Sequence, residues 1–279
     1  MHAIHIISTA PFFAKNPGGL YRLDKFELYS AALSALNWRR MGSEIDLVVD
    51  TEGEKYITSL GIASLWNTVK RLVPDDLEGI DPRMFWAAGK LFALREVEAP
   101  VAMIDTDFIL WKMPDLPENR IVAAHRENLT PSVYPPLDYF SFKRPFSMKG
   151  MNENVLPMNT AFLYLPDESF KQYYVNKAIA FMKSAVNCDD RLCYMVFAEQ
   201  RLLSICAEEL KVGSQVLMDK DELFFSREDY THIWGAKQVM RTDAGSQNDF
   251  CRRARDRIKT DYPDYAYIIP LIEKSFFQL

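Results

Sequence analysis

The sequence contains neither a G-x-G-x-x-G run nor a G-x-x-x-x-G-K-[ST] run. Those glycines let a backbone approach and cradle a pyrophosphate, so a dinucleotide-binding dehydrogenase and a P-loop kinase are both disfavoured. The four cysteines (Cys188, Cys193, Cys206, Cys251) include no C-x-x-C pair, which argues against a zinc site or a disulfide framework. A basic excess is lacking too. With 33 Lys and Arg against 38 Asp and Glu the net charge is −5, the wrong sign for a dedicated nucleic-acid binder. No apolar run reaches the length of a membrane span. Met1-His-Ala-Ile-His-Ile-Ile7 has no basic segment before its short apolar run, so it reads as a first β-strand and not as a secretory signal. Internal repeats, low-complexity tracts and linkers are missing. What is present suits a reduced, cytoplasmic, soluble protein: 279 residues, 48 % hydrophobic and 25 % charged, enough for one α/β domain.

Along the chain, Ala3 to Ser8 reads as a strand running into the Thr9-Ala-Pro11 loop, and Asn16-Pro-Gly-Gly19 is a turn signal. Apolar residues at helical spacing run from Leu20 to Met41, closed by Gly42. A second strand, Glu44 to Val49, stops at Asp50. Helices are expected at about Glu54–Leu60 and Pro82–Val97, followed by the apolar run Val101 to Ile104. Strands alternating with helices imply right-handed crossovers and a parallel sheet. Ile121 to His125 is another strand. The stretch from Glu127 to Val155 is long, rich in proline and aromatics and without periodicity, the character of a lid or an acceptor surface. Asn159 to Leu165 is a strong strand stopped by Pro166, and Asp167 caps the helix that follows. A helix from about Asp190 to Leu210, short strands at Val216–Met218 and Leu223–Phe225, and two C-terminal helices complete the expectation.

Chemistry concentrates in Met103-Ile-Asp-Thr-Asp-Phe-Ile-Leu-Trp111. Asp105 and Asp107 stand at the carboxyl end of an apolar strand, where open α/β sheets bind ligands. In an extended segment their side chains point the same way. Two carboxylates so placed can hold a hard divalent cation, and the cation a diphosphate; a strand-end turn that merely favours aspartate explains the pair about equally well. His232, one of four histidines, is by default a packed residue, but a neutral imidazole can complete a manganese-type ligand set. Lys237 nearby offers a compact positive charge for a phosphate. Glu199 falls on the apolar stripe of its helix beside Met195, Val196, Leu202 and Leu203, so it is aimed inward and needs either an ion-pair partner or a function. Asn159 either caps a turn or bonds a sugar hydroxyl, and Lys90 reads as a solvated helix lysine. Arg252, Arg255 and Lys259 share a helical face that is solvated by default, with a peripheral contact to anionic lipid as the sharper reading.

Taken in order, these pieces resemble the GT-A glycosyltransferases, closest to the family of glycogenin and the bacterial lipopolysaccharide galactosyltransferases. The matching elements are a basic residue on the helix before the D-x-D strand (Lys90), Asp105-Thr-Asp107, an Asn-x-Gly/Ala strand (Asn159-Thr-Ala161), an acidic-Gln pair (Glu199-Gln200), and part of a His-x-x-Gly-x-x-Lys segment (His232, Gly235, Lys237). Departures are that the lysine comes five residues after His232 instead of six, and that Glu199 stands where the family has aspartate. The resemblance implies a GT-A-type, Rossmann-like, mostly parallel sheet flanked by helices in a single domain. Residues of about 1–125 would form the nucleotide-binding half, about 126–240 the donor-sugar and acceptor half, and about 241–279 C-terminal helices. It implies Mn²⁺ (or Mg²⁺) held by Asp105, Asp107 and His232 against a nucleotide sugar, UDP-linked, with the metal as Lewis acid on the departing diphosphate. Lys90 and Lys237 would assist at the phosphates, while Thr9, Ala10, Asp50 and Thr106 would line the nucleotide pocket. Asn159, Glu199 and Gln200 would face the donor sugar in a hexosyl transfer with retention, and inversion with a carboxylate as general base stays open. The acceptor would be a glycan, as in surface polysaccharide synthesis, a lipid-linked species or a protein, met in the cytoplasm or at the inner face of the membrane.

Two other classes compete. A haloacid-dehalogenase-type phosphatase also begins with an apolar strand and D-x-D, but Ile109 is a poor match for its last position, the strand is third in the chain, and Asp189-Asp190 opens a helix. A catalytically inactive nucleotide-sugar-binding module would keep the same residues without turnover.

Overall fold

The structure is a computed structural model that describes residues 1–218 and 228–275; the expected strand at Leu223–Phe225 lies outside the described residues. In chain order the elements are β1 (His2–Ile7), α1 (Ala10–Lys15), α2 (Lys25–Arg40), β2 (Glu44–Val49), α3 (Thr51–Leu60), β3 (Val69–Arg71), α4 (Ala88–Glu96), β4 (Val101–Ile104), β5 (Phe108–Leu110), β6 (Arg120–Arg126), β7 (Met158–Leu165), α5 (Glu168–Ser184), α6 (Arg191–Val196), a π-helical turn (Phe197–Arg201), α7 (Leu202–Glu209), β8 (Gly213–Val216), β9 (Tyr230–His232), α8 (Lys237–Thr242), α9 (Ala244–Asp261) and α10 (Ile268–Lys274).

Seven strands form one sheet in the order β3-β2-β1-β4-β7-β6-β8. β7 runs antiparallel to both β4 and β6, and the other pairs are parallel, so the sheet is mixed but mostly parallel, flanked by helices in a single α/β domain. Strand β4 shows why its sequence is an unbroken apolar run. Ala102 and Ile104 pack with α2, α9 and α10 on one face of the sheet, and Val101 and Met103 pack with α4, α5 and α7 on the other. A strand covered on both faces has no solvent side to fill with polar residues. β1 is hydrogen-bonded between β2 and β4, with His2 in register with Glu44 and Val101, so the ends of β1, β2 and β4 lie side by side along one edge of the fold.

Several boundaries differ from the sequence expectation, each for a local reason. Helix α1 forms where a loop was expected, with Pro11 in its first turn, where a missing N–H costs nothing. The helix expected from Leu20 begins at Lys25, behind Asp24. The one expected from Pro82 begins at Ala88, because residues 81–87 form turns that use the Asp81 carbonyl as acceptor for Met84 and Phe85. The strand expected at Val216–Met218 pairs instead at Gly213–Val216, and three C-terminal helices are present in place of two. The helix expected over Asp190–Leu210 is interrupted at its middle by the π turn.

Candidate functional site

β4 ends at Ile104, and the chain leaves the sheet through a tight turn in which Phe108 N–H donates to the Asp105 carbonyl at 2.9 Å. Asp105, Thr106 and Asp107 are therefore a turn and not an extended continuation of β4, so the expectation that alternation aligns the two carboxylates is corrected. They face a common cleft because the turn folds them over the strand end. Past the turn, β5 pairs antiparallel with β9, and Phe108 sits opposite His232. That register brings His232 Nε2 to 3.9 Å from Asp107 Oδ2 across 125 residues of sequence.

Two lysines reach the carboxylates from opposite sides. Lys90, on α4, places Nζ 2.6 Å from Asp105 Oδ1 and 2.9 Å from Glu199 Oε1. It is thus an ion-paired residue at the cleft, not the solvated helix lysine its sequence context suggested. Its neighbour Gly89 is needed for that approach: a Cβ there would sit 2.5 Å from the Ser8 Cβ, so only glycine lets α4 close on the end of β1. Lys237, the first residue of α8, places Nζ 2.8 Å from Asp107 Oδ2.

Electrostatics differ between the two aspartates. Burial pushes Asp105 up to about 6, with Asp107 and Glu199 adding to the rise and Lys90 opposing it. Burial acts on Asp107 in the same sense, but Lys237, His232 and Lys90 outweigh it and hold the carboxyl below its ordinary value. His232 is lowered to about 4 by burial, only partly offset by Asp107, so its imidazole is neutral at pH 7. Burial alone would depress Lys90, and Asp105 and Glu199 together override it and keep the ammonium well above its usual range.

The acidic-Gln pair lies on the π turn. Such turns shift the backbone register by one residue and leave carbonyls to be satisfied from outside; here Tyr174 OH donates to the Glu199 carbonyl at 2.5 Å. Three successive residues then do three different things. Glu199, 5 % exposed, accepts from Thr160 Oγ1 at 2.7 Å as well as from Lys90, so the inward carboxylate has found its partner. Gln200 accepts from Tyr134 OH at 2.5 Å. Arg201, 2 % exposed, turns away and donates to the carbonyls of Pro135 and Glu153. The long proline- and aromatic-rich stretch is thus tied down at two carbonyls and at Tyr134.

Lys90, Asp105, Thr106, Asp107, Asn159, Glu199, Gln200, His232 and Lys237 all line one cleft of about 500 Å³. Asn159 accepts from Ala161 N–H at 3.0 Å with its side-chain oxygen and offers its amide nitrogen to Glu127 at 3.4 Å. Three expected site residues are placed elsewhere. Asp50, 1 % exposed, accepts from Thr9 N–H, from Thr9 Oγ1 at 3.0 Å and from Gly53 N–H at 2.8 Å, which ties the end of β1 to the first turn of α3. Its carboxylate oxygens are engaged inside the fold, and neither it, Thr9 nor Ala10 lines the cleft. Conversely, Ser8, Tyr21, Leu23 and the half-exposed Trp86 line the cleft without having been singled out. Tyr21 carried a faint signal: with Phe12, Phe13 and Tyr56 it forms a cluster of edge-on rings just after the Asn16–Gly19 turn.

Among the described residues no group of three or more His, Cys, Asp and Glu is gathered closely enough to hold a metal. Two donors nevertheless face each other in the cleft. Asp107 and His232 offer an oxygen and a neutral nitrogen 3.9 Å apart, within twice the ~2.1 Å bond of a small divalent ion, and Asp105 lies in the same cleft, turned to Lys90. The acidic pair Asp189-Asp190, which the phosphatase reading would have to use, is remote: Asp190 caps α6 through Cys193 N–H and bonds Tyr139, and neither lines the cleft. On α9, Arg252 pairs with Asp249 and Asp256, Arg253 with Asp249, Arg255 with Asp256 and Arg257 with Asp261, all within the same helix. No helix among the described residues is long and apolar enough to cross a membrane.

A family model described as "Family of unknown function (DUF6734)" matches residues 8–271. No curated protein matches the chain. Among solved structures, the chain is similar to PaToxG glycosyltransferase, at 10 % identity and a TM-score of 0.45, over 91 % of this chain and 77 % of that one. It is also similar to the galactosyltransferase LgtC in complex with donor and acceptor sugar analogs, at 12 % identity and a TM-score of 0.41, over 77 % and 73 % of the two chains.

Proposed function

The chain belongs to the DUF6734 family, whose function is unknown, and from the geometry of its cleft we propose that it is a metal-dependent glycosyltransferase that takes its sugar from a UDP-linked donor. One observation carries this reading. The two carboxylates of the Asp105–Asp107 turn, a neutral histidine, two lysines, an asparagine and a Glu-Gln pair converge on one cleft from five separate stretches of chain. An array with both anions and cations, at the carboxyl end of a mostly parallel sheet and without phosphate-binding glycines, suits a diphosphate bound through a cation.

In this reading Asp107 and His232, with Asp105, hold Mn²⁺ or Mg²⁺. When bound, the ion supplies Lewis acidity to the diphosphate leaving group. Lys237 and Lys90 place positive charge beside the same phosphates, where charge grows as the glycosidic bond breaks. Thr106, between the two aspartates, lies beside the nucleotide. Thr9 and Asp50 act one step back, by fixing the end of β1 against α3 at the nucleotide side of the cleft. Asn159, Glu199 and Gln200 face the donor sugar. Glu199 is bonded by Lys90 and Thr160, which fixes its side chain beside the place of an oxocarbenium-like centre and favours transfer with retention. The acceptor is a glycan, whose nucleophilic hydroxyl enters beside the 127–155 stretch. Residues 1–125 then serve the nucleotide, and 126–240 serve the sugars while adding His232 and Lys237 at the metal and phosphates.

The test is incubation of the purified chain with Mn²⁺ and a panel of nucleotide sugars, reading UDP release. Asp107→Asn and His232→Ala are expected to lower it by about 10²-fold or more, the scale of losing one electrostatic contact to a developing charge. UDP release untouched by both substitutions would sink the assignment, and phosphate release from phosphomonoesters would favour the phosphatase.

A further inference from the structure

Both carboxylates of the Asp105–Asp107 turn already hold a cation that the chain itself supplies. Lys90 Nζ is shared between Asp105 and Glu199, at 2.6 and 2.9 Å, whereas Lys237 Nζ holds Asp107 Oδ2 alone, at 2.8 Å. That same Asp107 oxygen is the one 3.9 Å from His232 Nε2. A divalent ion bound between Asp107 and His232 must take this oxygen, and an ammonium cannot stay beside it against the repulsion of a dication. The two lysines are not equally free to leave. Lys90 is anchored at two carboxylates, one of them nearly buried; Lys237 has one partner among the described residues, begins a short helix and keeps 30 % of its side chain in solvent. Its flexible four-carbon stem can swing without moving backbone.

The charge count of the cleft points the same way. Among the described residues that line the cleft, three carboxylates (Asp105, Asp107, Glu199) stand with two ammonium groups (Lys90, Lys237), a balance of −1. A diphosphate arriving alone meets net negative charge and lysines already engaged. A dication arriving alone must displace Lys237 and leave it unpaired nearby. Arriving together, each removes the obstacle to the other.

We infer that Lys237 is an exchangeable occupant of the metal position, neutralising Asp107 in the empty cleft and moving to the diphosphate when a divalent cation and a nucleoside diphosphate enter together. This rests on the proposed function, because it takes Asp107 and His232 as the metal donors. Cation and nucleotide are then coupled ligands, each raising the affinity of the other by the same factor. Beside the direct contact of cation and diphosphate, part of this coupling resides in one side chain that stands in for the metal, and that part needs no movement of a lid.

The experiment is calorimetric titration of the full chain with Mn²⁺ alone, with UDP alone, and with Mn²⁺ at saturating UDP, for wild type, Lys237→Met and Lys237→Gln. For wild type, UDP is expected to tighten Mn²⁺ about tenfold or more, inside the usual range of coupling between two ligands. In Lys237→Met, Mn²⁺ alone is expected to bind about tenfold tighter than to wild type, and the coupling to shrink by about the same factor, since no ammonium has to be moved. Lys237→Gln repeats the measurement should the methionine variant fold poorly. If Mn²⁺ alone binds neither variant more tightly, or the coupling is undiminished in both, the exchange is refuted while the function stands. If wild type takes up no Mn²⁺ even with UDP present, the exchange and the function fall together.

Discussion

Replacing Lys90 by methionine tests the electrostatic frame of the cleft without touching a metal donor. The methionine keeps most of the aliphatic volume and removes one ammonium that serves Asp105 and Glu199 at 2.6 and 2.9 Å. The gross attraction of each contact is about 4–6 kcal/mol at an effective dielectric of 20. Desolvation of the ammonium consumes much of that, and water reaches the pair through the open side of the cleft. Removing one partner of a buried pair costs about 3–5 kcal/mol, so a partly wet one belongs near 3. For a domain of this size that is a fall of roughly 6 °C in melting temperature, at about 2 °C per kcal/mol. Most of the loss comes from the nearly buried Glu199 carboxylate left without a cation. Lys90→Met combined with Glu199→Gln should therefore recover about 2 kcal/mol relative to additivity, as contacting pairs do. The sign with pH follows too. Asp105 is already raised to about 6 against the opposition of Lys90; without Lys90 the folded protein holds this proton at a pH where the unfolded chain has released it, so stability relative to wild type rises as pH falls from 7 towards 5. The assay is thermal unfolding of the two single variants and the double, at pH 7 and pH 5. A Lys90→Met protein melting within about 1 °C of wild type at pH 7, or a double variant that is simply additive, refutes the reasoning.

Three further outcomes are expected. His5 is lowered to about 3 by burial, slightly opposed by Asp107, while Trp66 Nε1 donates to its Nδ1 and its Nε2 meets Ser34 Oγ. The unfolded chain takes up a proton near pH 6.5 that the folded one refuses until about 3. Stability is thus lost as pH falls below 6.5, by about 1.4 kcal/mol per pH unit from this residue; urea unfolding of His5→Gln at pH 7, 6 and 5 should show a slope shallower by that amount. Arg201→Met frees the Pro135 and Glu153 carbonyls, so limited proteolysis between residues 128 and 155 should accelerate, with a stability loss of about 2–4 kcal/mol; an unchanged cleavage pattern would mean that the stretch is held by its own packing. Tyr134→Phe leaves the Gln200 carbonyl oxygen without its donor, and should cost about 1 kcal/mol while lowering kcat with the donor KM unchanged, read from UDP release and a thermal melt.

The α/β alternation, the apolar β4 and its aspartates, the Asp167 cap and the inward aim of Glu199 were all legible from the sequence, because each is a local pattern: an apolar run covered on both faces, a residue bonding three positions on, a charge on an apolar stripe. Asp50 was legible as the residue that ends β2, but its role was not, since its carboxylate is consumed by Thr9 and Gly53, one of them 41 positions away. The π turn was hidden as well. A one-residue change in helical register leaves the apolar spacing nearly intact, and what supports it here is Tyr174, from another helix.

By itself, the Asp105-Thr-Asp107 sequence determined that two carboxylates would stand at the mouth of an apolar strand, because an apolar run buried on both faces must end somewhere, and polar residues mark that end. Only the tertiary structure decided which way they face and what they hold. The Phe108 turn and the β5–β9 register bring His232 and Lys237 to them from distant parts of the chain, and the approach of α4 over Gly89 brings Lys90 from the preceding helix. Electrostatic partnership is set by distances of a few ångströms between residues more than 100 positions apart, and no local pattern carries that information.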